Sequence, residues 1–134
     1  MRGNKLRAAQ YLCLTTVLAS CGGEADRTAN ALQRSIGFRP ASLDVFWSEE
    51  YGWAEEGGEV TAAKLLKSDC VQIASKLSRE PFFMPGDLEK DAFAAAGLRP
   101  NEILRRHVLE QNGDTVEVML EPKSCTLVVR AHYE

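Results

Sequence analysis

Histidine is nearly absent from this 134-residue chain: there are two, His107 and His132. Neither has an acidic or cysteine partner at ligand spacing, so both read as surface strand residues rather than metal ligands or bases. The chain has no CxxC, no HExxH, no Gly-x-Ser-x-Gly turn and no glycine loop of the phosphate-cradling kind. Catalytic residues, cofactors and metal ligands are therefore all expected to be none, and an enzyme is not expected. Long apolar runs are missing too. The longest, Ala8 to Ala19, spans 12 residues, too few for an ordinary membrane-spanning helix. Basic residues are in deficit: the net charge is −3. Three of the 16 Lys and Arg lie in the first 20 residues, leaving 13 against 19 Asp and Glu, near −6, in the remainder. That balance argues against nucleic acid, which selects a basic face, and against electrostatic binding to anionic lipid.

The N-terminal segment carries a motif. Arg2, Lys5 and Arg7 precede the short apolar run, which ends in Leu18-Ala19-Ser20-Cys21, followed by Gly22-Gly23; no acidic residue occurs before Glu24. This resembles the signal peptide and lipobox of bacterial lipoproteins. The resemblance, confined to residues 1–22, implies cleavage before Cys21, acylation of the Cys21 thiol and attachment to the membrane through N-terminal acyl chains. Gly22 rather than aspartate after the cysteine implies an outer-membrane position facing the periplasm in a Gram-negative cell, or the single membrane of a Gram-positive one. The expected organisation is a signal peptide over 1–20, a lipidated tether over 21–27 and one domain over 28–134.

Four cysteines divide unequally under that reading. Cys13 leaves with the signal and Cys21 takes the lipid, so Cys70 and Cys125 remain, exported to an oxidising compartment. One disulfide is expected, the other reading being two separately buried thiols.

The remaining sequence predicts an α+β fold, with helices packed on a C-terminal antiparallel β-meander of three to four strands. A short helix opens near Asp26 or Thr28 and stops at Gly37. Leu43, Val45 and Trp47 alternate with Asp44 and Phe46, which reads as a strand. Thr61–Ser78 reads as the main helix, with Leu66, Cys70, Ile73 and Leu77 on one stripe. Pro81-Phe82-Phe83-Met84-Pro85 reads as an apolar bracket folded over the core, and Asp87 opens a helix closing at Gly97. Asn112-Gly113 marks a hairpin whose three-residue loop, Gln111–Gly113, pairs Val108 with Val116, Leu104 with Leu120 and His107 with Glu117. A helix over Asn101–Gln111 fits the same apolar spacing. Cys125, Leu127, Val129 and Ala131 share one side of a last strand, so Cys125 and Cys70 face the same helix–sheet layer.

Between Asp44 and Glu59 there are six acidic residues and no basic one, interleaved with Trp47, Tyr51 and Trp53 and broken by Gly52, Gly57 and Gly58. The glycines predict a loop. Trp47, Tyr51, Trp53, Glu55 and Glu56 are candidate partner-binding residues, because stiff aromatics supply contact area and clustered acids steer a basic partner. The plainer reading has both tryptophans plugging the core edge while the acids face water. The function expected from these features is a small, non-catalytic, lipid-anchored envelope protein that docks on or assists an envelope protein complex. The alternative is a periplasmic inhibitor or ligand-binding module using loop 44–59.

Overall fold

The computed structural model describes residues 23–53, 56–80 and 84–133, with the side chain of Trp53 outside that description. The first helix, α1 (Glu24–Ile36), carries Glu24 and Asp26 in its first turn, where negative charge complements the positive end of the helix dipole. Gly37 ends it in the left-handed region (φ 71°), donating its N–H to the Gln33 carbonyl at 3.2 Å. The stretch Glu24–Arg27, expected as tether, is thus helical, and Glu24 is buried.

Two long strands follow, β1 (Leu43–Trp53) and β2 (Glu56–Leu65): the strand expected from Leu43 to Trp47 continues through the stretch expected as loop and returns. They pair antiparallel from Leu43↔Leu65 to Trp53↔Glu56 with one irregularity between Val45 and Trp47. The glycines mislead here because they serve close packing. Gly52, at φ 90°, sits directly opposite Gly57, and Gly58 lies beneath the Tyr51 ring. Helix α2 is Lys67–Ala74, not Thr61–Ser78. Thr61–Leu65 belongs to β2, whose residues from Gly58 to Ala63 are all buried. A strand covered on both faces loses the alternation that betrays it, and its apolar run merges with the helical pattern beyond. Leu66 becomes the extended residue before α2 and is 52% exposed, off the expected stripe, whereas Cys70 and Ile73 are buried. Asp69 of α2 accepts the N–H of Ala41 at 2.9 Å, fastening the entry to β1.

The chain continues with β3 (Ser78–Arg79), α3 (Asp87–Ala96), a 3₁₀ turn at Pro100–Glu102, β4 (Leu104–Leu109), β5 (Thr115–Glu121) and β6 (Thr126–Tyr133). Asn101–Gln111 is therefore not a helix. The hairpin takes the three-residue-loop register, with Val108↔Val116, Leu104↔Leu120 and His107↔Glu117, and Gly113 at φ 92°. Of the proline bracket, residues 81–83 lie outside the described residues; Met84 is 85% exposed.

The fold is α+β, with β4–β6 forming the C-terminal meander. The sheet grows to six strands, in the order β1-β2-β6-β5-β4-β3, because β2 pairs with β6 and brings β1 with it. On one face Leu32, Ile36, Cys70 and Ile73 from α1 and α2 meet Val116, Val118, Leu120, Leu127 and Val129. On the other, Ala92 and Phe93 of α3 meet Val60, Ala62, Met119 and Val128. Cys70 and Cys125 form a disulfide, with Cα atoms 5.5 Å apart, joining α2 to the β5–β6 turn. Cys125 sits in that turn at φ 52°, and its carbonyl accepts the Leu65 N–H at 3.0 Å.

Candidate partner-binding surface

The residues singled out between Asp44 and Glu59 lie on the β1–β2 hairpin at one edge of the sheet, and the structure separates them into three environments. Trp47 is half-buried and packs on the second core beside Ala62, its cross-strand neighbour, which is the plugging role. Asp44, Glu49, Glu50 and Glu56 are exposed. Glu55 and the Trp53 side chain lie outside the described residues, as does Cys21.

Tyr51 belongs to neither group. Tyr51, Gly58 and His132 stand in one cross-strand row over β1, β2 and β6. Because Gly58 has no side chain, the Tyr51 ring lies across β2 and reaches the third strand. Its hydroxyl pairs with Nδ1 of His132 at 2.9 Å and accepts from Nε of Arg130 at 3.0 Å. The tyrosine and imidazole rings stack at 5.7 Å, and the guanidinium carbon of Arg130 lies 5.5 Å from the tyrosine centroid. On its far side His132 Nε2 is 3.4 Å from Glu56. Arg130 also faces the buried Glu89 at 3.7 Å, whose other oxygen accepts the Gly86 N–H at 2.7 Å and so caps α3. Burial of Arg130 alone lowers its affinity for the proton. The Tyr51 hydrogen bond and the nearby phenol and carboxylates outweigh that and raise its pKa above the ordinary arginine value.

A glycine-to-alanine exchange tests this arrangement. A Cβ on Gly58 would overlap both the Ala131 carbonyl oxygen and the Tyr51 hydroxyl. Gly58→Ala is expected to destabilise by about 2–3 kcal/mol, because backbone on one side and a ring held by two hydrogen bonds on the other cannot both yield. Urea denaturation checks it, and a loss below about 0.5 kcal/mol, the range of neutral surface changes, would show that Tyr51 is free to swing away.

On the opposite face Glu59 is buried and satisfied: Arg27 donates to its two oxygens at 3.1 and 3.2 Å, and Ser48 donates at 3.1 Å. The hydrogen bond to Glu59 raises the Arg27 pKa further, against the opposing effect of burial. Glu59 is thus removed from the acidic set by an internal partner. By contrast, Asp44, Glu49 and Glu50 take part in no ion pair among the described residues. Among the described residues no three His, Cys, Asp or Glu side chains converge as metal ligands.

Arg130, His132 and Glu89 were not among the candidates. The spacing of Arg130 and His132, two apart on a strand, does place them on one face. Nothing local shows that β1 arrives two strands away with a tyrosine in the same row.

Fold and surface together define a small, disulfide-linked α+β domain with an acidic strand at one edge. The chain matches no family model, no curated protein and no solved structure.

Proposed function

We propose that this chain is a small lipid-anchored protein of the bacterial envelope, non-catalytic, that docks on or assists an envelope protein complex through its acidic β1–β2 hairpin. The observation that carries this reading is the contrast on that hairpin. Glu59 is buried against Arg27, while Asp44, Glu49 and Glu50 stand exposed without an ion-pair partner among the described residues. Repulsion among unpaired acids on one strand is a cost that a basic partner relieves, and their field speeds its arrival. The anchoring part rests on the lipobox at Leu18–Cys21. No described helix is long and apolar enough to cross a membrane. Helix α1 begins three residues after Cys21, and three residues span at most about 10 Å. An acylated Cys21 would therefore hold the domain against the bilayer surface rather than on a long tether.

Cys21→Ser is the direct test. The variant is expected to accumulate as an unprocessed precursor and to incorporate no labelled palmitate. Cleavage and full membrane retention of that variant would remove the lipid anchor from the reading. Crosslinking of the lipidated wild type in its own envelope is expected to yield a discrete protein partner. A periplasmic inhibitor using the same acids would instead capture soluble basic proteins in a salt-sensitive way and leave no stable membrane complex.

A further inference from the structure

We infer that β1 receives an extended, basic polypeptide segment from the partner as a seventh strand. This rests on the docking reading above and specifies its mode. Four observations point to it. First, β1 is terminal in the strand order, is 11 residues long and pairs with β2 on one side. Among the described residues no backbone group outside that ladder bonds to it. Every second residue of such a strand turns its N–H and C=O outward, which is the template that strand addition uses.

Second, the two edges of the sheet are treated differently. At the far edge the two-residue β3, Ser78 and Arg79, covers Leu104 and Arg105 and leaves only Arg106–Leu109 of β4 open, too short a stretch to template a long addition. The β1 edge stays open along 11 residues, and its bulge and its acids, which deter unspecific pairing, leave it to a partner of opposite charge.

Third, the irregularity in the β1–β2 ladder falls between Val45, opposite Ala63, and Trp47, opposite Ala62. Phe46 is the extra residue and has no cross-strand partner. It is 42% exposed although it is a large apolar side chain on a folded strand. A bulge re-aims the residue it inserts, and here it presents a phenylalanine beside the open edge, where it can anchor an added strand.

Fourth, the side chains along the edge select the occupant. Asp44, Glu49 and Glu50 are exposed; Lys64 lies across from Asp44 and the field of Glu50 reaches Arg27, but no basic residue lies on β1 itself, so the edge keeps an acidic character. A second copy of this chain is disfavoured by the same charges. An antiparallel β1–β1 pair centred on Trp47 sets Asp44 opposite Glu50, and one centred two or three residues later sets Glu49 or Glu50 against its own copy. Like charges directly opposite destabilise a pair. Lysines or arginines at alternate positions of the incoming strand reverse the sign of that term.

The test uses the full chain in detergent micelles and a synthetic probe of about ten residues alternating lysine and threonine, matched to the length of β1. The probe is expected to bind and to slow hydrogen exchange at alternate amides of Leu43–Trp53, the ones that point away from β2. A probe of the same sequence with alternate backbone amides methylated keeps the charge and loses the strand, and is expected to bind at least about tenfold more weakly. The double variant Glu49→Lys/Glu50→Lys and the single variant Phe46→Ala are each expected to weaken binding by about tenfold or more, with the melting temperature nearly unchanged. Equal binding of the two probes, or binding without protection in β1, would overturn strand addition. So would concentration-dependent self-association abolished by Glu49→Lys/Glu50→Lys, since it would make a second copy the occupant, and so would failure of the basic probe to bind. The docking reading fails separately, when envelope crosslinking of wild-type protein yields no partner. If the Glu49→Lys/Glu50→Lys protein retains the wild-type crosslink, docking on a complex stands, while the acidic hairpin as its surface and the β1 mode both fall.

Discussion

Replacing Cys70 and Cys125 together by alanine is expected to lower the melting temperature by roughly 15 °C or more. The bridge spans 55 residues of sequence. Cross-linking so long a segment removes about 4 kcal/mol of unfolded-chain entropy at room temperature in the loop-closure description. For a domain of this size each kcal/mol moves the midpoint by about 4 °C. The total stability of such domains is only about 5–15 kcal/mol, so the bridge accounts for a large fraction of it. The native contacts it secures are few: α2 has only eight residues, and the bridge ties it to the turn between β5 and β6. Cys70 is 3% exposed and packs with Ile73 and Leu127, so alanine there adds a small cavity term. Thermal unfolding of the double variant beside oxidised and reduced wild type measures the effect. A shift below about 5 °C, or coincident curves for the two wild-type forms, would show that α2 holds its place without the bond.

The second large effect is expected at Arg105. This residue of β4 donates to Glu117 of β5 through Nε at 2.9 Å and through a second nitrogen, and its third nitrogen bonds Glu80. The Glu117 side chain is only 9% exposed and that of Arg105 19%. Burial opposes the charge on Arg105, but the hydrogen bond and charge of Glu117, with the Glu80 carboxylate, more than restore it, so its pKa lies above the ordinary arginine value. Arg105→Ala leaves the Glu117 carboxylate inside the fold without its main partner. Breaking a buried pair from one side costs about 3–5 kcal/mol. The residual exposure, and the proximity of Glu117 to Arg130, bring the expectation here down to about 2–3 kcal/mol. Glu117→Gln should cost less, because Arg105 retains Glu80 and some contact with water. The double variant Arg105→Met/Glu117→Leu should recover part of the loss, since two apolar groups need no partner. Urea denaturation of wild type, Arg105→Met, Glu117→Leu and that double variant closes a cycle and gives the coupling energy. Additive single and double effects would mean that the pair contributes nothing as a pair.

How much of this could be read before folding depends on how local each signal is. The β4–β5 register followed from keeping Val108, Val116, Leu104 and Leu120 on one side, and a left-handed Gly113 closed the loop. The stop at Gly37 and the helix from Asp87 to Ala96 are likewise set by residues within one or two turns. The pairing of Cys70 with Cys125 followed from their being the two cysteines left beyond Cys21, although Cys125 lies in the β5–β6 turn and not on the last strand as expected. The β1–β2 hairpin failed the same treatment. Its glycines look like loop punctuation, yet their use is to let Tyr51 cross β2, a demand made by β6, more than seventy positions later in the chain. Thr61–Leu65 looked helical because both of its faces are covered, and the second cover, α3, is remote in sequence.

Sequence alone therefore determined the class of fold, the C-terminal meander with its register, the cysteine pair and the lipobox resemblance. Each depends on period, turn chemistry or composition within a short window. Tertiary structure alone decided that β2 joins β6, that β1 becomes an open edge, that Glu59 is buried against Arg27 while Glu49 and Glu50 stay exposed, and that Tyr51, His132 and Arg130 meet. Those outcomes depend on which surfaces cover one another, and that is settled by the joint burial of elements far apart in the chain, which no short window contains.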